Sequence, residues 1–249
     1  MTPSRNRIGP VLGIALLATL AFAADDVTPR PVVLFFGDSL TAGYGVGKEN
    51  GFPARVQAHA DSVGCAALII NAGLAGETTA GGLRRVDWIL RRPVDIFVLE
   101  LGGNDGLRGV PLAETERNLQ GIIDRVKKKA PAARLVIVGV RLPPNLGPDY
   151  TEGFKAIFGR LAAANGAALI PALLEGVAGD RALKRNDGIH PNAAGHRRVA
   201  ATVWKELAPQ LCGESAGSAE AAQNLQGRDA GDAAAAGQAD DDGERGNGD

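Results

Sequence analysis

The sequence predicts an α/β fold: a three-layer α/β/α sandwich around a five-stranded parallel sheet, flavodoxin-like in its order. Three observations carry this. Short apolar runs alternate with helix-patterned segments along the chain. Each run is short enough for a buried strand, and strand–helix alternation at this spacing implies a parallel sheet covered on both faces. Polar, Gly-rich connections follow the runs, where open α/β sheets place their ligand crevice.

The elements follow in order. The first strand is Val32–Phe36, read from Val-Val-Leu-Phe-Phe, and it leads into Gly37-Asp38-Ser39-Leu40. A helix is expected over Phe52–Val63, then a strand over Ala67–Asn71 that runs into Gly73 and Gly76. The next helix is Thr79–Arg91, and the central apolar run Asp95–Leu101 leads into Gly102-Gly103-Asn104-Asp105-Gly106. Glu114–Ala130 reads as a helix closed by Lys127, Lys128 and Lys129, where positive charge suits the helix dipole. Leu135–Val140, the helix Thr151–Asn165 and the strand Ala168–Pro171 come next. The loop Arg185–Pro191 precedes a last helix over Asn192–Leu211. Right-handed crossovers bring the loops after the strands to one edge of the sheet.

Both ends of the 249-residue chain read as something other than fold. Arg5 and Arg7 precede the uncharged stretch Ile8 to Ala24, which holds Ala21-Phe22-Ala23 before Asp25. A basic start, a short apolar core and an A-x-A site predict a secretory signal peptide over residues 1–23. The stretch is shorter than a spanning helix needs, so an exported, periplasmic or secreted protein without a stable membrane span is expected. From residue 213 to 249 the chain is mostly Gly, Ala, Ser, Asp and Gln, with one leucine and nine acidic residues against two arginines. Such a segment buries too little apolar surface to offset its ordering entropy, and a disordered acidic tail is expected. Residues 24–212 then form one domain, expected to be a monomer. The chain's net charge is −1, and its one dense basic cluster lies at a helix end, so nucleic-acid binding is not indicated. Cys65 and Cys212 are the two cysteines; both fall at the sheet end away from the Gly-rich loops, and geometry has to decide whether they pair.

The chemistry begins with Ser39, at the C-terminal end of an apolar strand. Serine is a weak nucleophile until a base takes its proton. Among the three histidines, His59 and His196 lie in predicted helices, where surface or partly buried structural roles fit. His190 lies in a Gly/Pro-punctuated loop three residues after Asp187. Imidazole has the near-neutral pKa a general base needs, and a nearby carboxylate can hold its tautomer. Hydrolysis also needs donors for an oxyanion. Gly76 brings a backbone N–H close because it lacks a Cβ, Asn104 offers a side-chain amide, and Ser39 offers its own N–H. Each feature alone has a bland alternative: a helix cap for Asp187, ordinary glycine turns for the other two loops.

Gly37-Asp38-Ser39-Leu40, Gly76, Gly102-Gly103-Asn104-Asp105 and Asp187-Gly188-Ile189-His190-Pro191 occur in this order. This resembles the SGNH (GDSL) hydrolases, and within them the bacterial thioesterase I/lysophospholipase L1/arylesterase branch. The resemblance runs from about Pro31 to Leu211. It departs at Ala75-Gly76-Glu77-Thr78, where relatives often carry Ser-Gly-Asp-Thr. It implies Ser39 as nucleophile, His190 as base then acid, Asp187 as its orienter, and an oxyanion hole of Ser39, Gly76 and Asn104. It implies hydrolysis of a small acyl ester or acyl thioester through an acyl-enzyme, with no cofactor and no metal. It also places Leu107, Val110, Leu142 and Leu146 on the border of an acyl groove.

Competing readings fare worse. A phosphate loop needs Gly at 42 and Ser or Thr at 49, where the chain has Ala42 and Glu49. The nucleophile elbow Gly-x-Ser-x-Gly fails at Thr41. Asp187, His190 and His196 do not follow zinc spacing. A carbohydrate O-acetylesterase of the same fold keeps the same catalytic residues with another leaving group. A non-enzymatic exported binding protein conflicts with the intact Ser39, Gly76, Asn104, Asp187 and His190.

Overall fold

A computed structural model describes residues 30–212. The expected signal peptide and acidic tail lie outside the described residues. Five parallel strands form one sheet: β1 (Val32–Gly37), β2 (Leu68–Asn71), β3 (Ile96–Glu100), β4 (Arg134–Val138) and β5 (Ala168–Ile170). Their spatial order is β2-β1-β3-β4-β5. Seven helices accompany them: α1 (Ser39–Ala42), α2 (Phe52–Ser62), α3 (Thr79–Ile89), α4 (Gly103–Leu107), α5 (Leu112–Lys129), α6 (Pro148–Asn165) and α7 (Ala193–Cys212). The five expected strands and five long helices are present, with ends moved by at most three residues. The short helices α1 and α4 replace what reads in the sequence as loop.

The period-2 geometry of strands sorts the core into two halves. Val33 and Phe35 of β1, Ile96 and Val98 of β3, and Val136 and Val138 of β4 pack with α2 and α7 on one face. Their neighbours Leu34, Phe36, Phe97, Leu99, Leu135 and Ile137 pack with α3, α5 and α6 on the other. Both faces of the central strands β1 and β3 are buried, which is why they read as apolar runs. In α5, Thr115, Asn118, Leu119, Ile122, Ile123 and Val126 are buried, a 3- and 4-residue spacing that presents one stripe to the sheet. Burying one large apolar side chain here stabilises the fold by roughly 1.5–3 kcal/mol. The sheet is thus a rigid platform.

The chain leaves β1 for β2 on one side and reaches β3 on the other. The C-terminal ends of β1 and β3 are therefore the topological switch point, the expected crevice of an open α/β sheet.

His59 and His196 correct the expectation of surface or partly buried positions. Both are buried, at 7% and 1% exposure. His59 meets the Trp204 ring edge-on, with centroids 4.7 Å apart. His196 accepts the Phe52 N–H on Nδ1 at 3.2 Å, which ties the start of α2 to α7. Burial lowers both pKa values. For His196 burial is joined by the charges of His190 and Arg55, and its pKa falls to about 4. Burial thus favours the neutral form of both.

At the opposite end of the sheet from the crevice, Cys65 and Cys212 form a disulfide with Cα atoms 5.5 Å apart. It pins the end of α7 to the turn between α2 and β2, across a sequence separation of 147 residues. Closing so long a loop restricts the unfolded chain strongly, and its loss should cost about 3–5 kcal/mol. Cys65→Ser/Cys212→Ser protein should therefore show a lower urea midpoint than the oxidised protein, and reductant should reproduce the shift. Equal midpoints would remove this role.

Candidate active site

Ser39 is the first residue of α1, directly after β1. Asp38 caps this turn by accepting the Leu40 N–H on Oδ1 at 3.0 Å. As the first N–H of the turn, that of Ser39 has no acceptor within it. The approach to β3 is close: a Cβ at Gly37 would collide with Thr41 Oγ1 and with Glu100. Only glycine lets the serine turn settle on the end of the central strand.

His190 arrives from far along the chain. The Lys184 and Pro191 backbones bridge antiparallel, and the Arg185 N–H donates to His190 O at 2.8 Å. Asn192 accepts the Gly195 N–H at the start of α7 and donates from Nδ2 to Ala182 O at 2.7 Å. Held this way, His190 Nε2 lies 2.9 Å from Ser39 Oγ, and Nδ1 lies 2.9 Å from Asp187 Oδ2. The Tyr44 ring packs against the imidazole at 4.7 Å between centroids.

The electrostatics assign the protons. Burial opposes ionisation of Asp187, but the N–H groups of His190 and Ile189, each 2.9 Å from Oδ1, and the imidazole outweigh it. The Asp187 pKa falls to about 2. A carboxylate only accepts, so Nδ1 carries the hydrogen, and the neutral ring leaves Nε2 free to accept from Ser39 Oγ–H.

Gly76 lies in the turn Leu74–Glu77, closed by the Glu77 N–H on Leu74 O at 3.1 Å. Its φ of +78° is left-handed, which favours glycine, and its backbone is exposed. Asn104 Nδ2 sits 3.0 Å from Glu77 O and 3.1 Å from Asp38 Oδ2. Both amide hydrogens are therefore engaged here. Asn104 thus joins the three loops after β1, β2 and β3. Asp105, expected only as a turn residue, is buried and accepts from Thr79 N and Oγ1 at 2.8 and 2.5 Å, which clamps α4 to α3.

Of the expected groove residues, Leu107 is half-exposed, while Val110, Leu142 and Leu146 are partly buried. Leu142 packs against Gly106, and the Tyr150 hydroxyl donates to Val110 O at 2.8 Å. The loops following β3 and β4 are thereby joined.

Glu100 is the residue sequence reasoning overlooked. It is fully buried at the end of β3, beneath α1. Its Oε2 accepts from Thr41 Oγ1 at 2.7 Å and from the Asp38 N–H at 3.4 Å. Burial, then the charge of Asp38, push its pKa well above the ordinary carboxylate range. A carboxyl group interrupting the apolar run Ile96–Leu101 was the available signal. Burial also raises Asp38, from an ordinary 3.8 to about 6, against the opposing Leu40 N–H, His190 and Asn104.

The chain has known relatives. Residues 35–198 match the GDSL-like lipase/acylhydrolase family. The chain is 39% identical over 181 residues to Esterase TesA of Pseudomonas aeruginosa, covering 72% of this chain and 89% of that protein. It is 36% identical over 201 residues to thioesterase 1/protease 1/lysophospholipase L1 of Escherichia coli strain K12, covering 80% and 91%. A crystal structure of TesA superposes with a TM-score of 0.69 at 38% identity, covering 72% of this chain and 99% of that one.

A raised carboxyl pKa stabilises the fold fully below the unfolded value, and this is lost as pH rises through the folded value. For Asp38 that window runs from 3.8 to about 6. Asp38→Asn should therefore gain stability relative to wild type across it, by on the order of 3 kcal/mol. Urea midpoints at several pH values check this; a difference independent of pH would contradict it. Asp187 has the opposite sign: its contribution is present above 3.8 and is lost as pH falls through about 2.

Proposed function

The chain belongs to the GDSL-like lipase/acylhydrolase family and is a serine hydrolase of ester bonds; from that premise we propose that Ser39 is its nucleophile, His190 its base then acid, and Asp187 the orienter of His190. The observation that carries this is the unbroken relay of 2.9 Å contacts from Ser39 Oγ to His190 Nε2 and from His190 Nδ1 to Asp187.

In acylation Ser39 Oγ attacks the ester carbonyl carbon as its proton passes to His190 Nε2. The imidazolium is stabilised by Asp187, which stays ionised. The tetrahedral oxyanion takes hydrogen bonds from the N–H groups of Ser39 and Gly76 and from the Asn104 amide, which shifts from Asp38 or Glu77 to reach it. His190 then protonates the leaving oxygen or sulfur, the C–O or C–S bond breaks, and an acyl-Ser39 ester remains. Water, deprotonated by His190, attacks that ester. The acid departs as the proton returns to Ser39.

The substrate class is a carboxylic ester, acyl thioester or lysophospholipid with an apolar acyl group. Of the seven large hydrophobic residues exposed among the described residues, Tyr44, Leu74, Leu107 and Ile189 lie on the four loops around Ser39. Apolar side chains concentrated there favour an acyl chain over a sugar. The export expected from residues 1–23 would place this activity outside the cytoplasm.

With a short-chain p-nitrophenyl ester, Ser39→Ala should lower kcat by at least ~10⁴-fold, and Asp187→Asn by about 10⁴-fold through the wrong imidazole tautomer. Asn104→Ala should lower kcat by about 10²–10³-fold with little change in KM. Full activity in Ser39→Ala, or fluorophosphonate labelling of a peptide without Ser39, would overturn the assignment.

A further inference from the structure

A groove of about 520 Å³ opens directly beside Gly76. Its walls are residues 74–78 together with Gly81, Arg84, Arg85 and Arg108. These arginines are not equivalent. Arg85 is spent: its guanidinium grips Glu77 through two nitrogens, reaches Ala72 O at 2.9 Å and lies over the Phe36 ring. Glu77 is the sole acid in the wall, so its charge is already matched. Arg108 is exposed and makes one long hydrogen bond, 3.4 Å to Gly76 O, leaving most of its donors facing solvent. Arg84 is exposed and has no hydrogen bond or ion pair among the described residues. The acid three residues on, Asp87, is taken by Lys129 at 2.9 Å and Arg125 at 3.6 Å. Two unmatched guanidinium groups therefore border the groove that contains an oxyanion donor.

We propose that Arg84 and Arg108 form a subsite for an anionic oxygen group, phosphate or carboxylate, carried by the ester substrate near its scissile bond. This rests on the reading of Ser39 and Gly76 given above. Guanidinium is suited to this chemistry: it stays charged, and its planar donors match two oxygens at once. A paired anion would also be drawn toward the groove, an attraction that salt screens. The anion can reside in the leaving alcohol, as in a glycerol phosphate, or in the acyl group, as in a dicarboxylic half-ester. Leu74, exposed in the same wall, would contact the neighbouring apolar part.

Two matched pairs of substrates test this and separate the sources. One is 1-decanoylglycerol against 1-decanoylglycerol 3-phosphate. The other is p-nitrophenyl butyrate against the p-nitrophenyl half-ester of glutaric acid. The readout is the ratio of kcat/KM for the anionic over the neutral member, which cancels any general change in catalysis. In at least one pair the ratio should fall by about 5–10-fold in Arg84→Gln and further in Arg84→Glu, with Arg108→Gln acting in the same pair. Raising salt from about 20 to about 500 mM should bring the wild-type ratio toward that of Arg84→Gln. The pair that responds identifies the side of the ester bearing the anion. Ratios unchanged by the variants and by salt in both pairs would overturn the subsite while leaving Ser39 hydrolysis intact. No wild-type turnover of any of the four esters would overturn the hydrolase reading on which it rests.

Discussion

The site depends on one buried group, the carboxyl of Glu100 under the serine turn. A charged carboxylate would be costly in a fully buried position, and burial drives Glu100 toward its neutral form. Even neutral, its oxygen needs donors. Thr41 Oγ1 and the Asp38 N–H supply them, and both belong to the segment that carries Ser39. Satisfying Glu100 Oε2 therefore draws α1 onto the end of β3. The Thr41 carbonyl in turn accepts from Asn71 Nδ2 at 2.8 Å, and Asn71 Oδ1 accepts the Gly73 N–H, which brings in the loop after β2. The segment that carries Ser39 and the loop after β2 are thus tied by hydrogen bonds that start from one desolvated acid.

Three neighbouring carboxyl groups take different protonation behaviour from their surroundings. Asp187 is partly exposed and receives two backbone N–H groups, so it stays ionised and can hold an imidazolium. Burial raises the Asp38 pKa to about 6, and burial together with the charge of Asp38 pushes Glu100 well above the ordinary carboxylate range. A negative charge thus sits beside His190, and burial favours the neutral form of Glu100 under α1. Desolvation likewise favours the neutral form of His59 and His196.

The strands and long helices were legible because each obeys a local rule. Doubly buried strands read as apolar runs, and α5 shows its helical stripe in the sequence. Ser39, Gly76, Asn104, Asp187 and His190 were legible because their order and loop context are characteristic of a family. The short helices α1 and α4 were not, since four or five residues carry too little periodicity and are held by contacts from elsewhere, such as Asp38 with Asn104 and Asp105 with Thr79. The burial of His59 and His196 was also hidden. Their faces on α2 and α7 become internal only when those helices pack together, as the Phe52–His196 and His59–Trp204 contacts show.

By itself the sequence determined the α/β alternation, the loops that carry chemistry and the residue types able to supply a nucleophile, a base and donors. Those follow from hydrophobic period and from side-chain chemistry, which are local. Only the tertiary structure decided the distances: Ser39 to His190 across 151 positions, Cys65 to Cys212 across 147, and Arg84 beside Gly76 and Arg108. It also decided protonation, because the desolvation that raises Glu100 and lowers His196 comes from neighbours remote in the chain. Long-range packing and burial are properties of the folded chain, and no short window of residues contains them.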